Sequence, residues 1–462
     1  MKIALTTDSF VEGQGGVSTA VAALARSLRQ RGHRVMVYTA ADPSHKQTDL
    51  DVVGLRSLRY ERFPGGRVPM APISLVQELA DFHPAVIHNH SMGSMGLQTL
   101  AAARLLGIPI LGTCHVFLAG FLKYAPISLD GVPLTEDLAW RYTTVFFNRF
   151  PLVATPSAAM QSELVAHGLG APVTAISNGV DTDLFSPPPE AKVRDSRPLT
   201  LLHVGRLGYE KRVDVVLRAF ARLLDDYPKA RLLVVGDGPE AKALKTLAVE
   251  LNVAGQVHLT GALLHNHLPD IYRLADVFIT ASTIETQGLV VLEAMASGLP
   301  IVGMDALALP ELIHHEVNGL LVPPEDETAF SQATARLLSS ADLRREMGCA
   351  SRRLALEHSL PVVAQAYEDL YQQAMLRAQP PLLPRVPREL DPAVAWSSFR
   401  AEGQAIKEAG VERFWEVSKA LQQWAWLYFQ AFAPVIEQVR NGLPKRRNQA
   451  LRDESPSSQP KE

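Results

Sequence analysis

Short apolar runs alternate with longer amphipathic stretches through the first 185 residues. Ile3 to Thr7 is β-rich, and so are Val35 to Tyr38, Val86-Ile87-His88, Ile108 to Leu111 and Leu152 to Ala154. Between the first two runs, Val17, Val21, Leu24 and Leu28 recur at spacings of four, three and four, which marks one face of a helix. Gly32 follows as a stop signal. Buried strands alternating with helices predict a parallel sheet with helices on both faces.

Ser186-Pro187-Pro188-Pro189 interrupts this rhythm, and the polar stretch to Pro198 reads as a linker over 186–198. The alternation then restarts. Leu199 to Val204, Ala230 to Val235, Val257 to Thr260, Val277 to Thr280 and Pro300 to Gly303 are the expected strands of a second domain over 199–360. The first domain is 1–185. Ligands of doubly wound sheets bind at the carboxyl ends of strands, so the cleft between the two domains is the expected site. Val362 to Met375 reads as a helix, part of a 361–378 segment expected to return to the first domain. Pro380-Pro381 and Pro384 then break the chain. Helical patterning resumes over 390–442, and 443–462 is polar and charged, as in a flexible tail.

Charge and composition narrow the function classes. A net charge of -3 over 462 residues offers no general basic surface, so nucleic acid is not an expected partner. Two cysteines, Cys114 and Cys349, suit a reducing cytoplasm. Met1-Lys2 leads straight into a strand, without the look of a signal peptide. No run of about 18 apolar residues predicts a spanning helix. The expectation is a large α/β protein able to sit on a membrane surface.

Three clusters carry candidate chemistry. The loop Glu12-Gly13-Gln14-Gly15-Gly16 joins a strand to a helix. Its glycines let backbone amides approach an anion at a helix start, although a plain tight turn has the same look. It lacks the G-x-G-x-x-G spacing, which disfavours a nicotinamide dinucleotide. The second cluster, Gly205-Arg206-Leu207 with Glu210-Lys211, follows the first strand of the second domain. Arg206 forks onto phosphate oxygens and Lys211 supplies a mobile charge. Cations beside a helix start oppose its dipole, which favours an anionic ligand over a merely solvated basic pair. The third cluster runs from Glu285 through Thr286, Gln287, Gly288, Leu289 and Val290 to Glu293. It opens an apolar helix whose first free amides form an anion site. Glu285 precedes the helix and Glu293 lies roughly 7.5 Å along it. Carboxylates suit sugar hydroxyls, though two such glutamates are also ordinary surface charge.

Together these clusters resemble the retaining nucleotide-sugar glycosyltransferases of family 4, which have the GT-B fold. The resemblance rests on Gly205-Arg206-Leu207, Lys211 and Glu285-x7-Glu293. Asn178-Gly179-Val180-Asp181 before Phe185, the Gly15-Gly16 loop and His115 also fit, and the likeness covers about residues 1–378. Within the family the chain is most similar to bacterial diacylglycerol glucosyltransferases. That similarity rests on His88-x-His90, Gly112-Thr113-Cys114-His115, Lys123-Tyr124-Ala125-Pro126, Phe147-Asn148-Arg149 and Glu285-Thr286-Gln287-Gly288-Leu289. Cys114 and Val116 depart from the usual context, and the C-terminal segment lies outside the common pattern.

The resemblance implies two Rossmann-like domains facing a cleft, with a C-terminal helical extension. It implies that Arg206 and Lys211 neutralise the leaving diphosphate. Gly15, Gly16 and the amides of Gly288, Leu289 and Val290 would contact the same group. Glu293 would hold the ribose, Glu285 the donor sugar, and His115 would lie near the donor sugar and the acceptor hydroxyl. His90 and Tyr124 fall on the acceptor side. The implied reaction is transfer of a sugar, glucose from UDP-glucose being favoured, to a lipid hydroxyl such as diacylglycerol. The anomeric configuration is retained, by front-face displacement with the leaving phosphate taking the acceptor proton. No cofactor or metal is implied. A family 4 enzyme with a soluble or polysaccharide acceptor is the first rival. A nucleotide-sugar 2-epimerase is the second, and a catalytically silent binding subunit the third.

Other features have competing readings. His88 and His90 resemble a metal pair but lack a visible third ligand. Asp181-Thr182-Asp183 resembles a carboxylate motif but sits in the interdomain segment. Cys114 reads as a small buried residue. Arg56, Arg59, Arg62 and Arg67, interleaved with Leu58, Tyr60 and Phe63, suit an anionic lipid surface or a solvated loop. Phe414, Val417, Leu421, Trp424 and Tyr428 share one helix face. Trp396, Trp415, Trp424 and Trp426 with Lys445-Arg446-Arg447 suit a helix in a bilayer interface on the inner face of the membrane. Packing on the protein itself is the alternative, and Pro434 should end or kink that helix.

Overall fold

A computed structural model describes residues 1–8, 10, 15–40, 49–59, 67–69, 72–122, 128–129, 132–133, 135–188, 197–382 and 392–408. The chain opens with β1 (Lys2–Thr7), α1 (Gly16–Gln30), β2 (Arg34–Thr39), β3 (Val52–Gly54), β4 (Ser57–Arg59) and β5 (Arg67–Pro69). There follow α2 (Pro72–Phe82), β6 (Val86–Asn89), α3 (Ser94–Leu106), β7 (Ile110–Thr113) and α4 (Leu118–Phe121). The half is completed by β8 (Ser128–Leu129), β9 (Val132–Pro133), α5 (Glu136–Phe147), β10 (Val153–Thr155), α6 (Ala158–Ala166) and β11 (Val173–Ala175). Seven of these strands form a parallel sheet in the order β11-β10-β7-β6-β1-β2-β3. The strand order reverses between β1 and β6, where Thr6 lies beside Asn89.

The second half begins with β12 (Thr200–Val204), a 3-10 turn at Tyr209–Lys211, α7 (Val213–Leu223), β13 (Arg231–Val235), α8 (Ala241–Glu250) and β14 (Val257–Leu259). It continues with α9 (Leu268–Leu274), β15 (Val277–Ile279), α10 (Leu289–Ala296), β16 (Ile301–Met304), α11 (Leu309–Leu312) and β17 (Gly319–Val322). Helices α12 (Glu327–Ser339), α13 (Ala341–Leu356), α14 (Leu360–Leu376) and α15 (Pro392–Glu408) follow. The six-stranded parallel sheet has the order β14-β13-β12-β15-β16-β17, with its reversal between β12 and β15. Strands such as β15 and β16 are apolar on both faces because helices cover both.

Two stretches of chain cross between the halves side by side. Val180 N–H donates to His358 O at 2.9 Å, and Leu360 N–H to Val180 O at 3.2 Å. After this crossing α14 lies on the first half. Ser27 Oγ donates to Leu360 O at 3.1 Å, Tyr371 meets His88 Nδ1 at 2.9 Å, and Glu368 takes both Arg31 and His33 at 2.7 Å. The Arg31 hydrogen bond, with help from His33, pulls the Glu368 carboxyl down to about 2. Farther along the cleft the Glu311 carboxylate accepts from Ala158 N at 2.9 Å and Ala159 N at 2.5 Å. A negative charge at the start of α6 is where the helix dipole favours one.

Helix α15 folds back on α3 and α2 rather than standing away from the protein. Ala395, Trp396 and Phe399 join the core beneath it. Each of the two aromatic side chains is worth about 1.5–3 kcal/mol on burial. Glu402, 2% exposed, pairs with both Arg104 and Arg149. Trp396 is therefore a packing residue, unlike the interfacial role its position suggested. The rest of the amphipathic pattern, Phe414 to Tyr428 with Trp415, Trp424 and Trp426, lies outside the described residues, as do Arg62, Lys445, Arg446 and Arg447.

Candidate active site

Both reversal points face one cleft. On the first half, α1 begins at Gly16 after the positive-φ residue Gly15 (φ 83°). A side chain at Gly16 would come within 3.7 Å of Leu289 Cδ1, the first residue of α10. Two helix N-termini from different halves thus approach each other, each presenting unpaired amides and the positive end of its dipole. Gly288, which precedes α10, has φ 93°, a conformation that a β-carbon disfavours. It swings the chain so that the amides of Leu289 and Val290 lead the helix into the cleft.

The cations expected at the diphosphate each have a carboxylate partner. Arg206 Nη2 lies 2.7 Å from Glu210 Oε1, with the arginine half-exposed and Glu210 buried. The Glu210 carboxylate occupies space that only a glycine at 208 leaves open, because a Cβ there would lie 2.2 Å from Oε2. Lys211, closing the 3-10 turn, puts Nζ 2.5 Å from Glu285 Oε1. Burial pushes the Glu285 carboxyl up, but the Lys211 charge and hydrogen bond, with Ser282 and His203, outweigh it. The group stays below its ordinary value and is ionised at neutral pH. Arg206, Lys211 and Glu285 therefore share one wall, at the ends of β12 and β15.

Glu293 sits one turn inside α10, buried and fully engaged. His265 Nε2 lies 3.0 Å from Oε1, and the Tyr272 hydroxyl donates to Oε2 at 2.8 Å. Gln287 ties this loop to the interdomain segment by accepting from Asn178 N at 2.8 Å and donating to Ser177 Oγ at 2.7 Å. Thr286 reaches across the cleft, its Oγ1 donating to His115 O at 3.0 Å.

The opposite wall holds the histidines. His115 follows β7 and His90 follows β6, and His90 Nδ1 lies 2.8 Å from His115 Nε2. The His115 ring also bonds the Asn178 side chain, and burial outweighs that bond and holds it down to about 4. Burial, with His88 and His115 nearby, holds His90 well below its usual value. Among the described residues His90 Nε2 has no hydrogen-bond partner. These two rings, with Asp8, Thr7 and Thr113, form the polar side of a cavity of about 120 Å³ whose other walls are Val17, Met92, Val116 and Phe147. Asp8 accepts from Ser91 Oγ at 2.5 Å and from Met95 N at 3.4 Å, at the start of α3. Burial raises its carboxyl above the ordinary value despite those bonds. Tyr124 lies outside the described residues.

Sequence reasoning brought Gly16, His90, His115, Arg206, Lys211, Glu285, Gly288 and Glu293 to this cleft. It did not single out Asp8, His203, His265, Tyr272 or the Thr286 bridge, and it named Glu210 in the second cluster without giving it a role. Polar residues buried in apolar strands, such as His203 in Leu-Leu-His-Val, were the available signal. His88 is a packing residue, its nitrogens taken by Tyr371 and by Thr113 at 2.6 Å. Asp181 Oδ1 accepts from Asp183 N at 3.1 Å and Leu184 N at 2.9 Å, a local turn. Burial pushes the Cys114 thiol up to about 12, which leaves it unreactive. Among the described residues no group of three or more His, Cys, Asp and Glu could hold a metal ion.

Two parallel α/β sheets with facing reversal points define the GT-B architecture, and solved structures agree. The crystal structure of Anabaena HepE in complex with UDP-glucose aligns with a TM-score of 0.67 at 21% identity, over 81% of this chain and 100% of that one. Residues 14–184 match the family described as Glycosyltransferase Family 4, and residues 189–354 match Glycosyl transferases group 1. The chain is 30% identical over 356 residues to the alpha-monoglucosyldiacylglycerol synthase of Streptococcus pneumoniae, covering 74% of this chain and 80% of that one. It is also 30% identical over 378 residues to a GDP-mannose-dependent alpha-mannosyltransferase of Mycobacterium tuberculosis, covering 79% and 94%. The protein is a glycosyltransferase, and it belongs to glycosyltransferase family 4.

Proposed function

We propose that the enzyme transfers glucose from UDP-glucose to a lipid hydroxyl such as that of diacylglycerol, retaining the anomeric configuration. The observation that carries this reading is the mixed cavity beside His90 and His115. Its polar side suits a hydroxyl, and Val17, Met92, Val116 and Phe147 suit the apolar carrier of that hydroxyl. The similarity to a glucosyldiacylglycerol synthase supports the same acceptor, and the likeness to a UDP-glucose complex supports the donor.

In this reading the diphosphate lies between the starts of α1 and α10, against Gly15, Gly16, Gly288, Leu289 and Val290. Arg206 and Lys211 neutralise the charge that builds as the nucleoside diphosphate leaves, which lowers the barrier. Glu285 gives up part of its bond to Lys211 and accepts from the sugar hydroxyls. Glu293 accepts from the ribose, with His265 yielding its place. His115 borders the anomeric carbon, and His90 and Tyr124 flank the acceptor. The leaving phosphate oxygen takes the acceptor proton as the new bond forms on the same face. Positive charge comes from side chains and helix ends, with no metal assigned, so EDTA should leave substantial activity. Among the described residues no helix is long and apolar enough to cross a membrane. The reading places the enzyme peripherally, on the cytoplasmic face.

The equal identity to a GDP-mannose-dependent enzyme favours a second reading of the donor, mannose from GDP-mannose. The full chain should be incubated with UDP-glucose, UDP-galactose or GDP-mannose, and with diacylglycerol in mixed micelles or soluble sugars. An α-glucosyl lipid is the expected product. Transfer to soluble sugars with none to lipid would overturn the acceptor assignment, and an inverted anomer would overturn retention.

A further inference from the structure

His203 is the one polar side chain in the middle of β12, between Leu202 and Val204, and is 1% exposed. Its Nδ1 lies 3.1 Å from the carbonyl oxygen of Ile279 on the neighbouring strand β15. A carbonyl oxygen only accepts, so Nδ1 carries the proton and Nε2 carries a lone pair. Burial holds the ring down to about 4, so this neutral form is the one present at neutral pH. Among the described residues Nε2 has no partner, and it is shut off from solvent. An unmet buried acceptor is destabilising, a cost that a leucine at this position would avoid.

The location of that lone pair suggests what meets it. It lies under the loop of the second cluster, where a Cβ on Gly205 would be 3.6 Å from Nε2. The charges that reach the ring are Lys211 and Glu285, the pair at the head of the same strands. An ammonium has three N–H donors. Glu285 takes one of them, at 2.5 Å. In the reading above a diphosphate oxygen takes a second. One donor and one acceptor, His203 Nε2, then remain in the same corner of the site.

We propose that His203 is a positioning residue, whose Nε2 accepts the third Lys211 N–H in the donor-bound enzyme and fixes the ammonium on the leaving diphosphate. The inference rests on the assignment of Lys211 to the leaving group. Fixed charge needs no rearrangement when the negative charge develops, and that is its advantage over a mobile lysine. The bond to Ile279 O in turn fixes the ring, so the rigid floor between β12 and β15 sets where Lys211 points.

The test is kinetic. His203→Phe keeps a ring and removes the acceptor, whereas His203→Gln restores an amide oxygen. With saturating donor, UDP-glucose or GDP-mannose according to turnover, His203→Phe should lower kcat about tenfold, as loss of one hydrogen bond to a charged group does. Donor KM should stay within about twofold, which separates a role in turnover from one in donor binding. His203→Gln should recover most of the rate. In a Lys211→Ala background, His203→Phe should have no further effect on kcat. A wild-type kcat in His203→Phe, with a changed Tm alone, would overturn the proposal. An equal further loss in the Lys211→Ala background would overturn it too, by showing that the ring acts on the donor directly. Near-normal turnover of Lys211→Ala itself would overturn the leaving-group assignment instead. Should the phenylalanine variant fail to fold, the ¹⁵N resonance of His203 Nε2 in the wild-type enzyme decides. It should move upfield on saturation with the donor, and an unmoved resonance would overturn the anchor.

Discussion

Thr286 Oγ1 donates a hydrogen bond to the main-chain carbonyl of His115, 3.0 Å away on the opposite wall of the cleft. The bond joins the loop that holds Glu285 to the loop that holds His115. It therefore reports closure of the two halves. A neutral hydrogen bond of this kind is worth about 0.5–1.5 kcal/mol. Thr286→Val keeps the shape and loses the donor. We expect kcat to fall about two- to tenfold and the unliganded enzyme to show a larger radius of gyration by small-angle scattering. Unchanged values of both would mean the bridge plays no part in closure.

Removing the cations should be far more costly. Arg206→Ala and Lys211→Ala should each cut turnover by about 10² or more, as loss of one transition-state stabiliser does. Gly208→Ala tests the same group indirectly. The new Cβ would collide with the Glu210 carboxylate, which must then move and take its hold on Arg206 with it. A partial copy of the Arg206→Ala phenotype is expected in steady-state assays at saturating donor. Wild-type rates in Arg206→Ala or Lys211→Ala would refute the diphosphate assignment.

The two glutamates should separate by calorimetry. Glu285→Ala should impair transfer while nucleoside diphosphate still binds, because Glu285 is assigned to the sugar. Glu293→Ala should weaken the nucleotide as well. It should also release His265 and Tyr272 from their shared acceptor. Equal losses of nucleotide affinity in both variants would contradict this division.

Stability should depend on pH through the buried histidines. His115 and His203 are held down to about 4, and His88 and His90 well below their usual value, chiefly by burial. The unfolded chain protonates its histidines near pH 6.5. Between those limits the unfolded state binds protons that the folded state refuses. Stability is therefore complete above about pH 6.5 and is lost as pH falls toward 4. The slope is up to about 1.4 kcal/mol per pH unit for each such histidine. Urea midpoints across this range should show the fall, and His203→Phe should flatten it. A flat profile would place these rings in contact with water.

Glu402→Ala should loosen α15. It would leave Arg104 and Arg149 facing each other without their shared carboxylate, at a cost of about 1–3 kcal/mol. Limited proteolysis near residue 391 and a red shift of Trp396 emission would report the release. Protease resistance equal to wild type would show that Ala395, Trp396 and Phe399 hold the helix alone.

The candidate donor-side cluster was legible because its residues sit at the spacings, beside glycines, on which the family resemblance rests. Gly205-Arg206-Leu207, Lys211 and the pair Glu285 and Glu293 needed no knowledge of what lies across the cleft. Partners that meet only in three dimensions were not legible. His203 and Ile279 are 76 residues apart and become neighbours through the β12–β15 reversal. Asp8 reaches Ser91 across 83 residues. Short edge strands were missed for another reason: Val52–Gly54 and Val173–Ala175 are only partly buried, so they lack the apolar run that marks a central strand of the same length. Strand β7 begins at Ile110, two residues later than the apolar run from Ile108 suggested. Ile108 belongs to the turn after α3, where its N–H closes on Ala103 O at 3.0 Å.

The docking of α15 makes the last described helix a passenger of the first half alone. Trp396 and Phe399 seat it against α2 and α3, and Glu402 clamps it to Arg104 and Arg149. The second half is joined through the paired crossings at Val180 and Leu360. A shift of the second half about those crossings would therefore leave the seat of α15 undisturbed.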